Sequence, residues 1–241
     1  MKRLIDRFQK GVCMFYYDWT MLLVIPGLLL GLWAQFRVQS TFSKYGSVLS
    51  SNGQSADRVA RLLLNHAGCD AVDIEQTSGS LTDHYDPRTN VLRLSSSVVG
   101  STSVAAIGVA AHECGHAIQD KENYTFMKIR SSLVPVVNLV SYAGYFAMII
   151  SIFMGAMQYL MVGILMELAT VVFQLVTLPV EFDASKRALK EIEELNLVSK
   201  EELDGAKKVL SAAAFTYVAS ALAAILQRLR LLIMYGNRNN D

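Results

Sequence analysis

Between Asp18 and Arg37 the chain carries no charged residue, and none lies between Lys208 and Arg228. Between Arg130 and Glu181 the one charged side chain is Glu167. A helix crosses a hydrocarbon core of roughly 30 Å with about 20 residues, at 1.5 Å per residue. The two outer gaps each suit one crossing, and the middle gap suits two joined by a tight turn near "MGAMQ". Backbone polar groups in a bilayer must be satisfied within the segment, which makes these crossings helices. The composition agrees, with 52% hydrophobic and 18% charged residues. The expected fold class is mainly α: a polytopic membrane protein with about four transmembrane helices and a small α+β soluble portion.

The boundaries follow from the gaps. A basic segment, residues 1–18, precedes a first crossing at 19–36, and a soluble portion covers 37–132. A transmembrane hairpin at 133–178 is followed by a charged amphipathic helix at 179–204 and a last crossing at 205–235. The whole reads as one integrated unit. Pro179 is expected to kink or restart the chain. The first apolar segment lacks a small-residue cleavage site and reads as a retained anchor. Trp19 and Trp33 near its ends suit the membrane interface. Gly27-x-x-x-Gly31 offers a face for close helix packing, and the Ala- and Ser-rich last crossing suits the inside of a bundle.

A net charge of +1 and the lack of any Lys/Arg block argue against nucleic acid as a partner. Cys13, Cys69 and Cys114 are odd in number and widely spaced, which reads as free thiols.

In the soluble portion, "SADRVARLLLNHAG" reads as a helix capped by Ser55, with Val59, Leu62 and Leu63 on its apolar face and Gly68 at its end. "AVDIEQT" and "NVLRLSS" alternate as short strands, and "DHYDPRT" between them reads as a turn. "STSVAAIGVAAHECGHAIQDK" reads as a long helix capped by Ser101 or Ser103.

That helix holds two of the four histidines, His112 and His116, with Glu113 between them. Residues i and i+4 share a helix face, so two imidazoles can grip one zinc ion while Glu113 reaches toward a water. A zinc hydrolase needs a third protein ligand. The extended pattern HExxHxxGxxH is excluded, because Gln119 and Glu122 stand where it needs Gly and His. His66 sits near a helix end, where the helix dipole explains it. His84 precedes a strand that could run beside the zinc helix, so it is a candidate substrate contact. Glu181 is the stronger ligand candidate, because a hairpin of two crossings returns the chain to the face it left. Asp183 competes with it. Cys114 lies about 200° around the helix from His112 and reads as a packing residue.

These residues resemble a known family. HExxH, a transmembrane hairpin and E-F-x-A-S in that order resemble membrane-embedded gluzincin peptidases of the HtpX and CAAX prenyl protease type. The resemblance is closer to bacterial neutral zinc metallopeptidases of the YugP kind. It rests on "LWAQF", "TDHYDPR", "AAHECGHAIQDKE" and "LPVEF", and so covers nearly the whole length. It implies a zincin-like soluble portion and one Zn2+ per chain on His112, His116 and Glu181, with Glu113 as catalytic base. The residue four after the ligand glutamate is often Asp in gluzincins, where it supports a zinc histidine from behind. Here it is Ser185, a weaker acceptor. His84, Tyr85 and Tyr124 are the candidate donors to the oxyanion that forms during peptide hydrolysis.

Glu167, Gln174 and Glu181 recur every seven residues and fall along one stripe of a straight helix. Such intramembrane polar groups need partners or water. They make either an interhelical hydrogen bond or a polar groove for a membrane-anchored substrate.

The reading reached is a membrane-embedded zinc endopeptidase acting on membrane or membrane-proximal proteins. Its rival is a non-catalytic scaffold or binding protein with a structural zinc, for which Glu113 would have no use. A site-2-type protease is disfavoured, since the stretch before His112 is short and rich in small residues, unlike the full transmembrane helix that would carry HExxH there. The expected location is the cell membrane, with possible contacts to other copies or other proteins through the crossings. Lysines and arginines at the helix ends tilt the site slightly toward the cytoplasmic face, and free thiols fit a reducing compartment.

Overall fold

A computed structural model describes residues 19–154 and 159–238. The basic segment 1–18, Cys13, the turn at Met157 and the last three residues lie outside the described residues. The elements are a 3-10 turn at Trp19–Leu23, α1 (Ile25–Gly46), α2 (Ala56–His66), β1 (Asp73–Thr77), β2 (His84–Asp86), β3 (Val91–Ser95), α3 (Val104–Lys121), α4 (Thr125–Met154), α5 (Leu160–Glu194) and α6 (Lys200–Arg238). Among the described residues, four stretches are long and apolar enough to cross a membrane: Trp19–Gly46, Thr125–Ser151, Leu160–Glu194 and Lys200–Gly236. The chain is a mainly α, multi-pass membrane protein with a small α+β portion.

The long helices overrun the boundaries that hydropathy suggests. α1 continues ten residues past Phe36, because "RVQSTFSKYG" contains no helix breaker before its final glycine. α5 does not end at Pro179 but runs through it to Glu194. Proline removes one backbone N–H, so only the carbonyl four residues earlier loses its partner, and membrane helices tolerate this.

The chain divides into two compact units. Of the described residues, one comprises 19–32, 130–154, 159–176 and 218–238, and is built from apolar helix segments. In it Gly27 comes close to α6, where an added Cβ would lie 3.0 Å from the Ala223 Cα, whereas Gly31 faces open space. Arg228 bonds the Glu167 carboxylate and donates to Thr170 Oγ1 at 3.1 Å. Arg228 thus pairs with the one charged residue of the transmembrane hairpin.

The second unit comprises 33–129 and 177–217. Its core joins Val59, Leu63 and Leu64 of α2, Leu92 and Leu94 of β3, Ile107, Ala110 and Ala111 of α3, Ile192 of α5 and Leu210 of α6. On α2 the buried stripe is Ala56, Val59, Ala60, Leu63 and Leu64, and Leu62 points outward. Ser55 holds the N-cap position but makes no side-chain cap bond. The Asp57 carboxylate instead accepts the Gly100 N–H at 2.9 Å. Gly68, at φ +66°, turns the chain after α2, a conformation glycine adopts without steric cost. Ser103 caps α3, its hydroxyl accepting the Ala106 N–H at 3.2 Å.

The sheet has the order β1-β3-β2, with β1 parallel and β2 antiparallel to β3. The "DHYDPRT" stretch, expected to be wholly turn, contributes β2 before it turns. Asp86 then closes the turn, accepting from Arg88 N at 3.0 Å and Thr89 Oγ1 at 2.8 Å. Three residues beside two turn-formers carry no periodic signal; pairing with Val91–Arg93 of β3 makes the strand.

Candidate metal centre

α3 is buried over most of its length, and its glycine at 115 brings another helix unusually close. A Cβ at Gly115 would lie 2.3 Å from the carbonyl oxygen of Ala184 on α5. Only a residue without a side chain allows this approach. It sets the turn of α5 that carries Glu181 against the turn of α3 that carries both histidines.

The result is a three-residue cluster. His112 Nε2 lies 3.1 Å and His116 Nε2 3.6 Å from the same Glu181 oxygen, Oε2. The ligand atoms of all three lie within 4.8 Å of one another. The imidazoles meet edge to face, with centroids 4.8 Å apart. Donors about 2.1 Å from a tetrahedral zinc ion are roughly 3.4 Å apart. The two nitrogen–oxygen separations bracket that value, and two imidazoles with one carboxylate are a donor set that zinc accepts. The residues fit the ion.

The far side of each histidine is braced. Gln119, fully buried, directs its Nε2 to Val180 O and to Asp183 Oδ2, both at 2.8 Å. Both partners are acceptors only, which fixes the amide's orientation and leaves Oε1 to meet His116 Nδ1 at 3.0 Å. The proton of His116 is thus on Nδ1, and Nε2 keeps its lone pair toward the cluster. Ser185 Oγ stands 3.1 Å from His112 Nδ1 and holds the first histidine ring from behind.

Glu113 is nearly buried and turns toward the sheet edge, where its Oε2 accepts the backbone N–H of Tyr85 at 3.0 Å. β2 itself therefore runs beside the helix. His84, on that strand, is exposed, and its Nδ1 contacts Thr82 O at 2.9 Å. The Tyr85 ring is buried in the core, and its hydroxyl lies 3.0 Å from both Asp120 Oδ2 and Asn90 Oδ1. Burial and the Asp120 carboxylate push this phenol well above its ordinary pKa. Tyr85 meets the cluster through its backbone and not its phenol.

Asp183 does not join the three. It is held by Gln119 and by Arg187, which also bonds Glu122 and lies over the Tyr124 ring at 5.6 Å. Tyr124 follows the end of α3 and is half-buried. Cys114 is buried, its thiol 3.6 Å from Ala60 O and pushed up strongly by burial. His66 contacts Glu191 Oε2 at 2.7 Å, a tie between α2 and α5 beyond the helix-end role expected for it.

Sequence reasoning passed over two residues here. It used Gln119 only to exclude an extended histidine motif, and Gly115 not at all. The available signal was position: Gln119 falls three residues after His116, on the same helix face.

The chain is 42% identical over 219 residues to "Putative membrane protease YugP" of Bacillus subtilis (strain 168), covering 91% of this chain and 97% of that one. No solved structure is matched. The model of the family described as "Putative neutral zinc metallopeptidase" matches residues 20–236. Nearly the whole chain is thereby accounted for, and it belongs to that family of neutral zinc metallopeptidases.

Proposed function

We propose that the protein is a membrane-embedded zinc endopeptidase that hydrolyses peptide bonds of membrane or membrane-proximal proteins. His112, His116 and Glu181 would hold one Zn2+ per chain, as in a gluzincin. The observation that carries this reading is the shared Glu181 oxygen between two Nε2 atoms, with each histidine braced through Nδ1. When bound, zinc supplies the positive charge that acidifies water and polarises a peptide carbonyl.

The chain supplies the rest. Tyr85 N–H holds Oε2 of Glu113, so Oε1 is the atom that takes the proton of the attacking water and returns it to the leaving amine. Gln119 Oε1, which can only accept, keeps His116 in its Nδ1–H tautomer, and the Ser185 hydroxyl holds the His112 ring in place. His84 and Tyr124 would be the side chains that donate to the substrate's developing negative charge, since the Tyr85 phenol is committed to Asp120. A structural zinc in a scaffold would give Glu113 no task.

Glu113→Gln tests the assignment. The variant should retain about one zinc per chain and lose nearly all hydrolysis of a membrane-protein substrate, because an amide accepts no proton. Cleavage at the unaltered rate would transfer the argument to the scaffold. The site faces the cytoplasm in this reading. Cysteines placed at Ser80 and Glu194 should react with an impermeant maleimide only after the membrane is opened.

A further inference from the structure

The apolar unit holds a concavity that the metal centre does not use. It lies between α4 and α5, has a volume of about 440 Å³, and extends along residues 134–145 of one helix and 167–174 of the other. The two backbones touch at their glycines. A Cβ on Gly144 would lie 3.1 Å from the Gly163 carbonyl oxygen, and one on Gly163 2.8 Å from that of Gly144.

The lining is polar for a segment of this hydropathy. Asn138, Ser141, Glu167, Thr170 and Gln174 all face it. Arg228 neutralises Glu167, and Thr170 is hydrogen-bonded to both. Ser141 Oγ is buried without a hydrogen-bond partner. Among the described residues the side chains of Asn138 and Gln174 also make none. Unsatisfied amide and hydroxyl groups are costly in hydrocarbon, where no water replaces the missing partner.

These facts narrow the occupant. An acyl chain offers no donor or acceptor. A cation has no charge to meet, because Glu167 is already paired. Twelve residues of α4 extend about 18 Å, which suits a long, narrow occupant such as another helix. Tyr142 and Tyr145, both exposed, flank the opening. A second copy pairing by two-fold symmetry would set this concavity against itself and leave it unfilled. We propose that the groove docks a transmembrane helix of a substrate protein that carries Asn, Gln, Ser or Thr at the level of Asn138 and Gln174. Naming that helix a substrate rests on the peptidase reading, and α5, one wall of the groove, also carries Glu181. The docking itself does not depend on catalysis.

The full chain in lipid nanodiscs, labelled for energy transfer, would be titrated with two synthetic single-span peptides. One is a Leu/Ala helix with a central Asn, and the other has Leu at that position. The Asn peptide should bind about three- to tenfold more tightly, the range of one polar contact between membrane helices. Asn138→Leu/Gln174→Leu should remove the preference while zinc content stays unchanged, and Asn138→Gln should retain it. Equal binding of the two peptides, or a preference that survives the double variant, overturns the proposal. So does a double variant that changes only the number of chains per disc, which would assign the groove to self-association. Finally, a cleavable substrate anchored by the Asn helix should show a higher kcat/KM than one anchored by the Leu helix. Binding without that advantage removes the substrate role. Failure of all cleavage with intact binding counts against the peptidase reading alone.

Discussion

Polar side chains that line a site are treated in opposite ways in the two units. Around the histidines, Gln119 uses its oxygen once and its nitrogen twice, and Ser185 faces an imidazole nitrogen. In the apolar hairpin, Asn138, Ser141 and Gln174 share one concavity and make no such bonds. Both units bring helices together at glycine, at Gly115 in one and at Gly144 and Gly163 in the other. Close packing therefore does not separate them; polar satisfaction does. A site whose groups are already paired is set before its ligand arrives, whereas a groove with open groups is completed by its occupant.

The largest test of this contrast exchanges one hydrogen for a methyl in each unit. Gly115→Ala forces α3 and α5 apart against a backbone carbonyl, at a cost of about 1–3 kcal/mol or more. Zinc affinity, read by chelator competition, should fall at least about tenfold, since 1.4 kcal/mol is a factor of ten. Gly163→Ala should lower the melting temperature and leave zinc affinity within about twofold. Equal loss of zinc in both variants would erase the distinction between the units.

Gln119→Leu comes next. It strips the acceptor from His116 Nδ1 and the donor from Val180 O and Asp183, and zinc affinity should fall about 10- to 100-fold. Gln174→Leu, a similar loss of an amide in the hairpin, should not move zinc affinity. Ser185 sharpens the picture on a smaller scale. Ser185→Ala should weaken zinc by a few-fold, about the value of one hydrogen bond, and Ser185→Asp should tighten it through a stronger acceptor for His112 Nδ1–H.

The smallest expected effect is at Asp57. Burial pushes its carboxyl up, but the Gly100 N–H, the Ser55 hydroxyl and nearby Arg58 outweigh that and hold it below its ordinary value of about 3.9. Its folded pKa lies below the unfolded one, so its stabilisation is complete above pH ~4 and is lost as pH falls through the folded value. Asp57→Asn removes that contribution, so it should lower the melting temperature by about one or two degrees at pH 7, and the difference from the parent should vanish as pH falls below the folded pKa.

Much of this was readable from the chain. Charge-free gaps announce the crossings, because a charge in hydrocarbon is expensive wherever it sits. The convergence of Glu181 on the histidines follows from connectivity, since a hairpin returns to the face it left. What could not be read depends on contacts distant in sequence. Gln119 gains its role from Val180 and Asp183, some sixty residues away. β2 exists through its register with β3. Leu62 looks like a core residue until the neighbours of α2 decide which face is covered. Pro179 reads as a break locally, yet the surrounding helix carries through it.

The thiol of Cys114 gives the molecule an internal clock. It sits one residue after Glu113 and is sealed against the Ala60 carbonyl between α2 and α3. A water-soluble alkylating reagent can reach it only when those helices part. In the limit of fast reclosing, its modification rate at a given reagent concentration reports the fraction of time the helix bearing both histidines stands open. Comparing that rate with and without zinc would express the hold of the metal on this helix as an opening equilibrium, with no substrate in the measurement.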